Sequence, residues 1–339
     1  MYSSQLTALM TTYNSSQYVV DTINSVLNQS LSNFDFVIVD DGSTDNTVDI
    51  IKKYNDSRIR LFCRSENKGV GYSLKEAIEY VHTPYVIKVD SDDLSHPERF
   101  TRQLSFLMSN PAISLVKSYF EYFADSPEVA ASERFISRQR DACEINKINT
   151  EALIRENLPR WLCVEHTTYC ARTDAIKAVG YPDQRLCEDY ALFYQLHRHG
   201  YRMDCLPEYL VKMRLSNSSV TAGLTTERLY SWFSYLFELK KERILQLLGG
   251  RASLAIYGSG GLARCMHQVL TAQGIQVTNF IEQTTKPDVL VNGQLLPVKA
   301  LRDCLQQRIL IAAQPVRLQL VQQLTDFGLV EWHDFMVIA

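Results

Sequence analysis

What the chain lacks narrows its chemistry first. No apolar run approaches the roughly 18 residues needed to span a bilayer, so a helical membrane channel or carrier is excluded and only a peripheral membrane contact stays open. No basic surplus is present: 35 Lys and Arg face 38 Asp and Glu, for a formal net charge of -3, so no global basic surface advertises nucleic acid. The eight cysteines are scattered and none forms a C-x-x-C pair. With no signal peptide, the expectation is free thiols in a reducing cytoplasm. Cys163, His166 and Cys170 are the residues from which a zinc site could still be drawn. Internal repeats and low-complexity stretches are also missing.

What is present is ordinary globular material. Hydrophobic residues make up 46% and charged residues 22% of 339 positions, a length that suggests about two domains. The first hundred residues alternate between strand and helix periods. "LTALM" (6–10), "FDFVIVDD" (34–41), "IRLFC" (59–63) and "YVIKVD" (85–90) read as strands, with helices between them carrying Val19, Ile23 and Val26, then Val48 and Ile51, then Leu74, Ile78 and Val81. Strand–helix alternation at this spacing predicts an α/β fold with a doubly wound, mostly parallel sheet. Residues 101–160 read as mostly helical and polar, with 132–147 as a solvated segment over the crevice. "WLCVEHTTYCAR" (161–172) returns to strand character, 186–201 is a helix with Gly200 as its cap, and 205–221 holds one or two strands and a loop.

In such sheets ligands sit outside the carboxyl ends of the strands. Thr12, Tyr13 and Asn14 follow the first strand, Asp40 and Asp41 the second, and Asp90, Asp92 and Asp93 the fourth, so all are expected along one crevice. Three carboxylates within four residues repel one another unless something positive sits among them. Hard oxygen donors in a tight cluster favour Mg²⁺ or Mn²⁺. Such an ion keeps one or two protein carboxylates and takes its other ligands from water and phosphates, which fits a nucleotide diphosphate. The plain alternative is that D-S-D-D caps the following helix. Glu188 and Asp189 sit at a predicted helix start. There the helix dipole keeps a carboxylate ionised, and an ionised carboxylate facing a hydroxyl is a general base; simple helix-end charge is the alternative.

"TTYNSSQYVVDTINSVLNQS", "VIVDDGSTDNT", "NKGVG", "VDSDDLSHPERFTRQL" and "EDYALFYQLHRHGY" occur in that order, and over about residues 5–222 the chain resembles an inverting family 2 glycosyltransferase of the GT-A fold. The resemblance implies that Thr12 and Tyr13 hold the nucleotide base, with Asn14 beside them. It implies that Asp40 reads the base edge, typically of uracil, with Asp41 sharing that role. Asp90 lies near ribose and metal, Asp92 is the direct metal ligand, and Asp93 caps or supports. Asp189 is the catalytic base, and Glu188 and His166 contact acceptor or sugar. The implied reaction is a single displacement of nucleoside diphosphate from a nucleotide-sugar donor, a UDP-sugar first of all, by an acceptor hydroxyl on a saccharide or glycolipid. The pattern departs at Thr11, where a proline is usual, and at Leu74, where an arginine is often found; Lys68 or Lys75 are the available substitutes. The Q-x-x-R-W signature of processive members is absent, which favours one sugar per encounter. A nucleotidyltransferase would want a glycine-rich loop with a basic residue after the first strand, and "MTTYNSSQ" has neither. A degenerate scaffold that only binds sugar nucleotides is the non-enzymatic rival.

The expected division is a GT-A domain over 1–222, a helical linker over 223–250 and a small Rossmann-like α/β domain over 251–339. The helix of roughly 225–248 carries Tyr230, Trp232, Phe233, Leu236, Phe237 and Leu239. It is expected as a seam between domains, with a homodimer or membrane-surface contact as the other uses of such a face. In the tail, "GSGGLA" (258–263) fits G-x-G-x-x-A after a strand, with Glu282 about twenty residues on. Gly258, Gly260 and Glu282 therefore form a candidate nucleotide loop, although the second mononucleotide half is missing. A docking or oligomerisation module, its glycines serving only the turn, is the other reading.

Overall fold

A computed structural model of the chain describes residues 4–216, 225–312 and 317–338. It divides into two compact units, Met1–Ala222 and Gly223–Ala339. The first unit runs β1 (Leu6–Thr12), α1 (Val19–Leu27), β2 (Asp35–Asp40), α2 (Thr47–Lys52), β3 (Ile59–Cys63), α3 (Val70–Ala77), β4 (Tyr85–Asp90), β5 (Leu94–Ser95) and α4 (Arg99–Ser109). It continues with β6 (Leu115–Ala124), α5 (Pro127–Ala130), α6 (Glu133–Lys147), α7 (Glu151–Asn157), β7 (Tyr169–Arg172), α8 (Thr173–Val179), α9 (Glu188–Arg198) and β8 (Met203–Leu215).

Eight strands form one sheet in the order β3-β2-β1-β4-β7-β6-β8-β5. The first four are parallel, while β7 runs antiparallel to both β4 and β6. The expected mostly parallel α/β sheet is therefore present, with β7 reversed in its middle and the two-residue β5 reversed at its edge. Strand β1 lies between β2 and β4, so the chain reverses its winding there, and the crevice opens at the carboxyl ends of β1 and β4. The registers Thr12↔Asp40 and Thr11↔Asp90 bring the polar residues that follow all three strands to that edge. Behind it, Leu6, Ala8, Met10, Phe36, Ile38, Ile87 and Val89 pack with Val19, Ile23 and Val26 of α1 and Phe100, Leu104 and Leu107 of α4. Burial of such side chains contributes about 1.5–3 kcal/mol each, which makes the crevice edge a rigid platform.

Two expectations need adjustment. The segment 101–160 is mostly helical, as expected, but it also holds a strand that its local pattern did not announce: "LVKSYFEYFA" forms the ten-residue strand β6, paired in parallel with β8. Its aromatic and β-branched residues suit a pleated surface, and its neighbours β7 and β8 lie far off in sequence. Strand character in 161–172 is confined to Tyr169–Arg172, with a 3-10 turn at 166–168 before it. The end of the strand-and-loop segment read over 205–221 lies outside the described residues from 217 onward.

The helix expected as a linker is part of the second unit. α10 (Thr226–Leu248) buries Phe233, Leu236, Phe237, Ile244 and Leu247, and packs on α11 (Gly261–Ala272) and on the strand Phe335–Val337. The remaining strands are β9 (Ser253–Tyr257), β10 (Gln276–Glu282), β11 (Lys286–Val291), β12 (Gln294–Ala300) and β13 (Ile309–Ile311), with Phe335–Val337 as β14 after helix α12 (Arg317–Asp326). They form a six-stranded sheet, β11-β12-β10-β9-β13-β14. The helix read from Pro315 is described from Arg317 onward. Among the described residues, no helix is long and apolar enough to cross a membrane.

Candidate active site

At the end of β1, Thr12 is buried and its hydroxyl finds no hydrogen-bond partner. Tyr13 next to it is 45% exposed. Asn14 adopts φ +50°, a left-handed conformation that asparagine tolerates. Its backbone N–H donates to Ser43 Oγ at 2.9 Å, and its Oδ1 accepts from the Thr44 N–H at 2.8 Å. Asn14 thus clips the first strand-end loop to the second. Asp40 is 1% exposed and accepts from the N–H and hydroxyl of Ser43 at 2.9 and 2.5 Å. Asp41 is buried too, accepting from Arg64 and the Lys68 N–H, both at 3.0 Å, and from the Gly69 N–H at 2.7 Å. Both carboxylates brace loops in this conformation.

The loop braced by Asp41 carries the cations that the position of Leu74 does not. Leu74 is fully buried core. Arg64, which the sequence reading passed over, lies 4.7 Å over the Tyr72 ring and pairs with Asp41 and Glu76. Lys68 sits 5.0 Å over the same ring. Gly71 is pressed against the 182–184 backbone: its N–H donates to the Gln184 carbonyl at 3.1 Å, and a Cβ there would lie 2.1 Å from that oxygen. This contact fixes the segment that leads into α9.

The acidic run after β4 is surrounded by protein cations. Lys88 is fully buried, and its ammonium donates to the Val89 carbonyl at 2.8 Å and pairs with Asp90. Arg99 is equally buried, donating to the carbonyls of Lys88 and Thr167 at 2.8 and 2.6 Å and to Ser95 and Gln103. Arg214 donates to the Asp92 carbonyl and to Asp21 through its side chain, and to Asp93 Oδ1 through its backbone. Burial raises the pKa of Asp90, but the charge and hydrogen bond of Lys88 and the charge of Arg99 outweigh it and the net direction is downward. Asp92 has no such partner, and burial together with the charge of Asp90 pushes it up to about 6. Asp93 is driven well above the ordinary carboxyl range by burial and its two neighbours.

Across the crevice, α9 begins at Cys187, which holds φ +70°. Such a conformation is uncommon for a residue with a side chain, and strain of this kind clusters at functional sites. It sets the directions of Glu188 and Asp189. Asp189 accepts from the Tyr190 N–H at 2.6 Å, yet burial and the charge of Asp90 still raise it to about 6. Glu188 is raised well above its ordinary value by burial and Asp189. His166 Nδ1 lies 3.8 Å from Glu188 Oε1, and Nε2 lies 3.3 Å from the Tyr181 hydroxyl. Burial and the charge of Lys88 lower His166 to about 3, so its ring is neutral near pH 7. Glu165 was missed in the sequence; burial and the charge of Asp189 lift it to about 7.

The expected residues thus fall into three groups. Thr12, Tyr13 and Asn14 stand at the end of β1, Asp40 and Asp41 act as loop braces, and Asp90, Asp92, His166, Glu188 and Asp189 share one electrostatic environment. Lys88, Arg99, Arg64, Arg214 and Glu165 went unread. Lys88 did leave a signal: a lysine inside an apolar strand shares a face with the residue two positions on, and that residue is Asp90.

In the second unit, Gly258, Gly260 and Glu282 line a cavity of about 600 Å³ together with Tyr257, Gln283 and Gln323. The Ser259 hydroxyl donates to Glu282 Oε1 at 2.5 Å, and Lys286 lies 3.1 Å from Oε2. The three residues are brought together, with Glu282 already partnered.

The profile of the family described as "Glycosyl transferase family 2" matches residues 7–179. TuaG of Bacillus subtilis, a protein named for teichuronic acid biosynthesis, is 28% identical over 225 residues, spanning 66% of this chain and 84% of its own. Among solved structures, S. aureus TarS 1–349 in complex with UDP-GlcNAc superposes with a TM-score of 0.54 at 17% identity, over 78% of this chain and 71% of that one. The mannosyltransferase PcManGT of Pyrobaculum calidifontis, in complex with GDP-Man and Mn²⁺, gives 0.53 at 15% identity over 81% and 70%.

Proposed function

This chain belongs to glycosyl transferase family 2, and from that premise we propose that it is a metal-dependent inverting transferase moving one sugar from a UDP-sugar to a saccharide or glycolipid hydroxyl. The observation that carries this reading is a pair of half-buried carboxylates, Asp92 and Asp189, both raised to about 6 and, among the described residues, neither in an ion pair with a protein cation. Both feel the charge of Asp90 at the carboxyl end of β4.

A divalent ion fits the donor set on the Asp90 side. Among the described residues the Asp92 carboxylate makes no ion pair, and the charges of Lys88 and Arg214 offset its burial and the charge of Asp90 only in part, so a hard cation would supply the missing counter-charge. Among the described residues no group of three or more His, Cys, Asp or Glu side chains forms a metal site, so such an ion would rest on Asp92 and the free side of Asp90 and complete its shell with diphosphate oxygens. When bound, it would supply Lewis-acid stabilisation to the departing diphosphate. The exposed Tyr13 ring is the group at the β1 end free to meet the nucleotide, and the neighbouring Thr12 hydroxyl is buried without a hydrogen-bond partner. Asp40, for which the family implies base reading, has one hydrogen bond from Ser43 on each carboxylate oxygen and keeps further acceptor capacity for a base edge.

Asp189 receives the proton of the attacking hydroxyl. With a pKa of about 6 it is ionised at neutral pH, yet basic enough to hold a proton in the transition state. Glu188 and Glu165, both protonated more readily than free carboxyls, can donate hydrogen bonds to acceptor or sugar oxygens. Neutral His166 can hold either partner. No covalent sugar intermediate is required, so configuration inverts. The relative named for teichuronic acid biosynthesis supports a role in surface polysaccharide synthesis.

The test is donor hydrolysis by the full chain with Mn²⁺ across a panel of nucleotide sugars. A transferase slowly releases nucleoside diphosphate and free sugar, and Asp189→Asn stops it. A scaffold releases nothing from any donor.

A further inference from the structure

Lys88 is the group in this crevice that the reaction above leaves without a task. It lies on β4 with apolar neighbours on either side in sequence, fully buried, and both its recorded partners lie along its own strand end: the Val89 carbonyl at 2.8 Å and the Asp90 carboxylate. Its own carbonyl is held by Arg99 at 2.8 Å. A lysine is rarely fully buried unless paired, and the Asp90 side chain it grips is one-third exposed at the crevice edge. Ammonium and carboxylate are therefore a fixed pair, with the cation behind and the anion in front.

That arrangement bears on how a metal would enter. One Asp90 oxygen is already occupied by the ammonium. Arg99 adds a second buried cation, and Arg214 a third beside Asp92 and Asp93. A bare dication approaching Asp92 meets these positive charges, whereas a nucleoside diphosphate brings several negative ones. We propose that Lys88 is a positioning residue that holds Asp90 in an internal ion pair, so that the metal enters together with the nucleoside diphosphate and not ahead of it. This rests on the metal-dependent reading given above.

The neutral substitution Lys88→Met removes the internal cation, leaves Asp90 uncompensated and opens its second oxygen to a metal. Free Mn²⁺ is followed by electron paramagnetic resonance during titration of the full chain, with and without UDP. For the parent protein, bare Mn²⁺ binding is weak and UDP strengthens it at least about tenfold, the scale of one nearby charge. For Lys88→Met, bare Mn²⁺ binds at least about tenfold more tightly than to the parent, and the gain from UDP shrinks. Lys88→Arg keeps the cation and restores the parent pattern. Mn²⁺ raises the thermal midpoint of Lys88→Met more than that of the parent. A merely structural role lowers the midpoint without moving metal affinity. If Lys88→Met does not fold, Lys88→Gln is read in the same way. A folded neutral variant with parent-like affinity for bare Mn²⁺ overturns the proposal, as does a parent that binds UDP and yet binds bare Mn²⁺ as tightly without it as with it. A parent that binds no UDP in either condition removes the UDP-donor reading alone, because the bare-metal comparison still decides the role of Lys88.

Discussion

Asp189 and Asp92 have pKa values near 6 for the same reason, burial beside another carboxylate, but they fail differently when changed. Asp189→Asn is expected to cut transfer by at least about a hundredfold, the usual scale of general-base loss, while metal-dependent UDP affinity stays within about twofold of the parent in calorimetry. Asp92→Ala is expected to weaken UDP binding chiefly when Mn²⁺ is present. The pH profile follows from the direction of the Asp189 shift: the base works only when ionised, so kcat falls as pH drops through about 6. Glu165 gives a stability counterpart. Its folded pKa of about 7 exceeds the unfolded value, so the folded state retains a proton that the unfolded state has lost, and stability is lost as pH rises from about 4.3 through 7. Glu165→Gln should therefore raise the thermal midpoint at pH 8 and leave it unchanged near pH 4.

At the scale of elements, two short segments carry more than their length suggests. "PERFTRQ" reads as a helix start, but Arg99 and Gln103 reach from α4 to the carbonyls of Lys88, Val116, Thr167 and Thr168, stitching β4 to β6 and to the turn that holds His166. Arg99→Met leaves two of those carbonyls without their charged donor and removes one of the cations near the aspartates. Loss of about 3–5 kcal/mol is expected, read as a lower urea midpoint. Gly71 is the other case. Its alanine variant drives a Cβ into the Gln184 carbonyl, displacing the lead-in to Cys187 and Asp189, so kcat is expected to fall more than UDP affinity. Legibility tracked sequence distance. The four parallel strands and the motif at each strand end were readable because hydrophobic period and turn chemistry are local. Strand β6 was not, since its pairing with β7 and β8 spans distant sequence. In the second unit the hairpin of β11 and β12 went unread although Asn292 and Gly293, both at positive φ, spell its turn.

For the molecule as a whole, the strand-end pattern marked the acidic residues and the family resemblance suggested their roles, while the cations among them emerged only from packing. A carboxylate cluster in sequence states a demand for positive charge without saying how much of it the protein already meets. Lys88, Arg99 and Arg214 meet part of it, and Asp92 is what remains. The second unit is a separate compact body with its own sheet and core. The most direct measurement is a crystal structure of the full chain with UDP and Mn²⁺. The account predicts the diphosphate at the carboxyl ends of β1 and β4, Mn²⁺ within bonding distance of Asp92, and Lys88 still paired with Asp90. UDP lodged away from that edge, or a metal bound without contact to Asp92, would contradict it.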